Sequence, residues 1–129
     1  MYTYEDVEML VQDEHTELSI RAWNEEYLHV HMQDNDDYDV MGMLLSKEHA
    51  ELLRDTLDVF LYTYEYVDMS VQNEYTELIT YAWDKEYLHV HMQDDYDSSE
   101  MGILLSKENA ELLRDTLGVF LAGGYVDER

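Results

Sequence analysis

The chain has 129 residues, with 31 acidic against 7 basic side chains, a formal net charge of -24 and a hydrophobic content of 46%. High charge with low hydrophobicity would leave a chain disordered, but here there is enough apolar material for a core, so a folded body with a strongly negative surface is expected. That field disfavours phosphate backbones and anionic lipid. The absence of cysteine excludes disulfides, thiolate catalysis and sulfur-based zinc sites. No apolar run approaches the roughly 20 residues of a membrane-spanning helix. The acidic start MYTYEDVEML lacks the positive charge of a secretory signal, so a soluble, cytoplasmic protein is expected.

Val7, Met9 and Val11 alternate with Glu8, Leu10 and Gln12, the period of two that marks a half-buried strand. A polar turn over Gln12 to Thr16 leads to a second alternating run, Leu18, Ile20 and Ala22, ending at Trp23. Asn24 and Glu25 make a turn into a third strand carrying Leu28, Val30 and Met32. Connections this short require antiparallel neighbours. After the acidic loop Asp34 to Asp39, the run Val40 to Leu45 is apolar on both faces and reads as an interior strand. Ser46 is placed as an N-cap for a helix from Lys47 to about Leu61, with Glu48 in the first turn and Ala50, Leu53, Leu57 and Phe60 on one stripe.

The stretch EYLHVHMQD at Glu26 to Asp34 returns unchanged at Glu86 to Asp94. Aligning 2–61 with 62–121 needs no gap, and 42 of the 60 aligned positions are identical by direct count, so the chain is one module written twice. The expected class is α+β: two tandem ββββα modules related by a pseudo-twofold axis, residues 1–61 and 62–121, followed by a tail, 122–129, that should fray. A half this small would bury only about 60% of its extended surface, and no flexible linker separates the copies, so they should pack as one monomeric, pseudo-dimeric body. Where Ser19 and Arg21 become Ile79 and Tyr81 beside Trp83, an apolar stripe arises in the second copy only. Packing between the halves is its expected role, with a contact surface as the alternative.

Four antiparallel strands and a helix, in paired copies, resemble in strand order the single-stranded-DNA-binding transcriptional coactivator fold. Those domains use basic strands, whereas this chain is acidic, so the resemblance is one of strand order alone.

His29 and His31, with His89 and His91, form two His-x-His pairs whose side chains share a face. Across a pseudo-twofold they could converge on a metal such as zinc, with Asp34 or Asp94 nearby. The acidic loops lack the glycine of a calcium-binding EF-hand loop and have Leu45 where its bidentate glutamate belongs. No phosphate-binding glycine loop, nucleophile elbow or cysteine is present, so no enzyme activity and no cofactor are expected.

The remaining signal is charge. Carboxylates at Glu25, Glu26, Asp34, Asp36, Asp37, Asp39, Asp94, Asp95 and Asp97, interleaved with Tyr38 and Tyr96, combine long-range steering with aromatic contact area. This resembles the acidic DNA-mimic inhibitors, phage-type anti-defence proteins that block nucleic-acid grooves on restriction or CRISPR enzymes. The resemblance implies a basic, nucleic-acid-binding protein as partner and no direct nucleic acid. The alternatives are an immunity or antitoxin-type protein against a basic toxin, and a halophilic domain.

Overall fold

The computed structural model describes residues 7–36, 39–63, 65–96 and 99–122. The first copy comprises β1 (Glu8–Gln12), β2 (Thr16–Ala22), β3 (Tyr27–Asp34), β4 (Val40–Ser46) and α1 (Lys47–Thr63). The second comprises β5 (Asp68–Gln72), β6 (Thr76–Ala82), β7 (Tyr87–Asp94), β8 (Glu100–Ser106) and α2 (Lys107–Leu121). Each copy is an antiparallel meander in the order β1-β2-β3-β4 or β5-β6-β7-β8, followed by its helix. The expected α+β architecture of two ββββα modules is therefore observed.

Registration explains why alternating sequences make one apolar face. Met9 lies opposite Ile20, Ile20 opposite Val30, and Val30 opposite Met43. The next inward row runs through Val11, Leu18, Met32 and Met41. All eight side chains are buried, together with Ala50, Leu53, Leu57 and Phe60 of α1. Burial of each such side chain is favourable by about 1.5–3 kcal/mol, and the rows cannot slip by one residue without turning the whole set outward. The buried residues of both copies form one continuous core.

Ser46 and Ser106 open the helices as N-caps, their hydroxyls accepting the N–H of His49 and Asn109 at 3.2 Å in each case. Neither helix carries a basic residue in its last turn. The other helix supplies it. The Lys107 ammonium sits 4.9 Å from the Phe60 ring centroid and donates to the Phe60 carbonyl at 3.3 Å, while Lys47 lies 5.3 Å from the Phe120 ring centroid. This reciprocity places the start of each helix at the end of the other, so α1 and α2 run antiparallel. Each cation meets a negative dipole end and an aromatic face. Beyond their own sheets, α1 also packs on β5 and α2 on β1.

Two sequence expectations are corrected. The run Val40 to Leu45 is not an interior strand: β4 pairs with β3 alone and forms an edge, with Val40 exposed. The last strand of an open meander has no further neighbour, whatever its composition. The first helix runs to Thr63 and not Leu61, since no glycine or proline intervenes and the Thr63 hydroxyl donates to the Val59 carbonyl at 2.8 Å. The second ends at Leu121 as expected, with the Ala122 N–H on the Gly118 carbonyl at 3.0 Å. The expected fraying of the tail falls on 123–129, outside the described residues.

The copies differ at one core position in a way that strains the second. Ile20 is replaced by Thr80, which is fully buried, and its hydroxyl has no hydrogen-bond partner. Thr80→Val keeps the shape and removes the orphaned hydroxyl. It should raise stability by about 1–3 kcal/mol in chemical denaturation, and an unchanged or lowered midpoint would refute this account.

Candidate nucleic-acid interface on the outer sheet faces

The face of each sheet opposite the core carries the conspicuous side chains. On β3, His29 lies between Arg21 and Leu44, and His31 between Ser19 and Gly42. In the second sheet the same places hold His89 between Tyr81 and Leu104, and His91 between Ile79 and Gly102. The imidazoles within each pair stack, with centroids 5.9 Å apart in the first copy and 5.8 Å in the second. Trp23 continues the first row, tilted 47° to His29 with centroids 5.8 Å apart. Trp83 and Tyr81 continue the second, tilted 46° and 56° to His89 at 6.0 and 4.9 Å. Both tryptophans are 58% exposed.

A glycine makes room for each stack. A Cβ on Gly42 would lie 2.9 Å from His29 Nε2, and one on Gly102 would lie 2.7 Å from His89 Nε2. The imidazole lies across the neighbouring strand only because that strand has no side chain there. A glycine inside an otherwise apolar strand was the sequence signal for this close approach, and the sequence reading passed over it.

The stripe Ile79, Tyr81 and Trp83 is not packed between the halves. With His89, His91, Glu100 and Gly102 it belongs to this outer face, where Ile79 and Tyr81 join the histidines in lining an open groove of about 500 Å³. Glu100 accepts a 3.0 Å contact from His91 Nε2 at the groove edge. Burial pushes the His29 imidazole below its ordinary value, and neighbouring His31 and Arg21 act in the same direction. Burial, and then His91, do the same to His89, whose Nδ1 has no hydrogen-bond partner. Among the described residues no three His, Cys, Asp or Glu side chains are grouped so as to hold a metal ion, so the four histidines are not gathered at one point.

The carboxylates singled out in the sequence are placed differently, at strand ends, where several build the turns. Asp34 Oδ1 accepts the Asp36 N–H at 2.9 Å, and Asp94 Oδ1 the Tyr96 N–H at 2.8 Å. The Asp39 carbonyl accepts the Asp34 N–H, and the Asp95 carboxylate accepts from Gln72 at 3.0 Å. Asp36 contacts His15 at 2.6 Å; the equivalent pair in the second copy is Tyr96 edge-on to Tyr75 at 5.9 Å. Glu25 and Glu26 are exposed in the turn before β3, where Asn24 Oδ1 accepts the N–H of Glu26 and Tyr27. Asp37, Tyr38 and Asp97 lie outside the described residues.

Turn geometry depends on the oxygen and not on the charge. Asp13 and Asn73 accept the same pair of backbone N–H groups, and so do Asn24 and Asp84. Asp13→Asn should therefore leave the melting temperature unchanged or higher, whereas Asp13→Ala should cost about 1 kcal/mol. Equal losses in both variants would show that charge is what the turn requires.

The histidine stacks impose a pH dependence. With folded-state affinity for protons depressed at His29 and His89, the unfolded chain takes up protons first as pH falls through about 6.5, and stability contributed by the neutral rings is lost below that point. A His29→Gln/His89→Gln variant should lose less stability than the parent between about pH 7.5 and 5.5. Parallel stability curves for the two proteins would remove this assignment.

No protein-family model matches the chain, and no curated protein matches it. Solved structures do match in fold. One is that of MRP1/MRP2 from Trypanosoma brucei, with a TM-score of 0.68 at 9% identity over 88% of this chain and 81% of that one. WHY1 from Arabidopsis thaliana matches with a TM-score of 0.61 at 10% identity over 97% and 92%. A guide-RNA-binding protein complex bound to a guide RNA matches with a TM-score of 0.64 at 11% identity over 89% and 88%. These likenesses correct the functional expectation drawn from charge. A DNA-mimic, phage-type anti-defence inhibitor with a basic protein partner and no direct nucleic acid is not what this fold points to, nor is the immunity or antitoxin alternative. Total charge carries no position: carboxylates build turns and helix surfaces, and on the outer sheet faces aromatic rings stand beside Glu17, Glu77 and Glu100.

Proposed function

We propose that the chain is a binding module, not an enzyme, that holds single-stranded nucleic acid on the outer faces of its sheets by base stacking. The observation that carries this reading is the row of Trp and stacked His-His rings on each sheet, with Tyr81 added in the second, on a fold similar to that of a complex bound to guide RNA. Every base has a flat face, so a row of exposed rings accepts any sequence, at about 1–3 kcal/mol per stacked base. The expected cytoplasmic setting, which suits a cysteine-free chain, is part of this proposal. Among the described residues no helix is long and apolar enough to cross a membrane.

With a net charge of -24, affinity cannot come from neutralising phosphates. A basic site making 6–10 phosphate contacts loses about 10³–10⁵ in affinity between roughly 50 and 200 mM salt. Here screening relieves repulsion, so binding should strengthen over that range. Fluorescence anisotropy with labelled RNA and DNA single strands, and with a duplex of the same sequence, tests this. Single strands should bind and duplex should not, and Trp83→Ala should weaken binding by roughly tenfold or more. The absence of single-strand binding between about pH 6 and 8 at every salt concentration would overturn the proposal, as would full retention by a Trp23→Ala/Trp83→Ala variant.

A further inference from the structure

The helix pair contains a clamp in one copy and a groove where its twin belongs. Arg114 of α2 reaches across to α1, contacting Asp58 at 3.4 Å and the Tyr62 hydroxyl, with its guanidinium 5.2 Å from the Tyr62 ring centroid. Within α2 it also contacts Asp115 at 2.9 Å and Glu111 at 3.8 Å. Arg54, its counterpart in α1, keeps the equivalent contacts on its own helix, Asp55 at 3.0 Å and Glu51 at 3.8 Å. Among the described residues the partners across the helix pair are missing, because Gly118 stands for Asp58 and Ala122 for Tyr62. A Cβ on Gly118 would meet open space. The result is an open groove of about 470 Å³ beside Lys47, Glu51, Arg54, Gly118 and Ala122.

We propose that this groove binds a small hydroxyaryl carboxylate, one molecule joining a phenol to a carboxylate in place of the two absent side chains. The duplicated site is the template for the chemistry. Lys-Glu-x-x-Glu-x-x-Arg is present in both helices, Lys47 to Arg54 and Lys107 to Arg114, so the local field that tolerates Asp58 near Arg114 is reproduced around Arg54. In the occupied copy a planar guanidinium pairs with a carboxylate, donates to a phenol oxygen and lies against the phenol ring, a combination that arginine provides and lysine does not. The volume falls within the range of small-molecule pockets. The site lies on the helix pair and is independent of the sheet faces.

The test uses the full chain and 4-hydroxyphenylacetate, with binding followed by calorimetry and by NMR shifts of groove residues. The parent should bind saturably, phenylacetate without the hydroxyl should bind more weakly, and Arg54→Ala should reduce affinity at least tenfold. A Gly118→Asp/Ala122→Tyr variant, which builds the second clamp in place, should lose binding and melt at a higher temperature. Absence of saturable binding to the parent would overturn the proposal, as would undiminished binding to the double variant.

Discussion

The antiparallel pairing of the two helices is the contact on which the rest of the molecule depends. Of seven basic residues in the chain, Lys47, Arg54, Lys107 and Arg114 all lie along this pair. A body with a charge of -24 pushes its own parts away from one another, so its few cations have most effect where two segments must meet. Each helix lacks a cation for its own C-terminal end and receives one from its neighbour. Because α1 reaches β5 and α2 reaches β1, the pairing also closes each module over the opening strand of the other. Neither module completes its core alone, which explains why a 60-residue repeat persists as a tandem.

With the inner faces committed to this shared core, the outer faces are left to function. Strand alternation then decides what appears there, since every second residue of β3 and β7 must point outward. His29, His31, His89 and His91 stack because they are spaced by two on adjacent positions of one face, and Gly42 and Gly102 let the first ring of each pair lie flat. Desolvation pushes the His29 and His89 imidazoles below their ordinary value, which favours these two rings as neutral stacking surfaces.

Most of the fold was legible in the sequence because its signals were local. Alternation marked the strands, Ser46 and Glu48 marked the first helix, and the repeat marked the second copy. What was not legible depended on neighbours. Val40 to Leu45 looks interior by composition, yet strand order makes it an edge. Thr80 takes the inward place of Ile20 in the repeat, but that its hydroxyl finds no partner beside Met69 and Val90 depends on the side chains around it. The aromatic groove needed both the outward direction of Ile79 and Tyr81 and their juxtaposition with β7. The charge reading failed for the same reason. By charge Asp34 and Asp94 read as binding groups, whereas their Oδ1 atoms also accept backbone N–H groups of the turns that follow.

Under the proposed function, the acidity of the chain discriminates between paired and unpaired strands. A duplex offers its phosphates to the solvent and hides the faces of its bases, so its approach to this surface gains little stacking and meets the full repulsion of the carboxylates. A single strand offers base faces that can lie on Trp23 and Trp83 while its phosphates turn outward, away from the turns where Asp13, Asp34, Asp84 and Asp94 sit. The same field then acts as a filter, costing both ligands affinity but leaving a compensating interaction to only one of them. In the proposed function, specificity for unpaired strands would follow from a surface that repels backbones and stacks bases, without any side chain reading sequence.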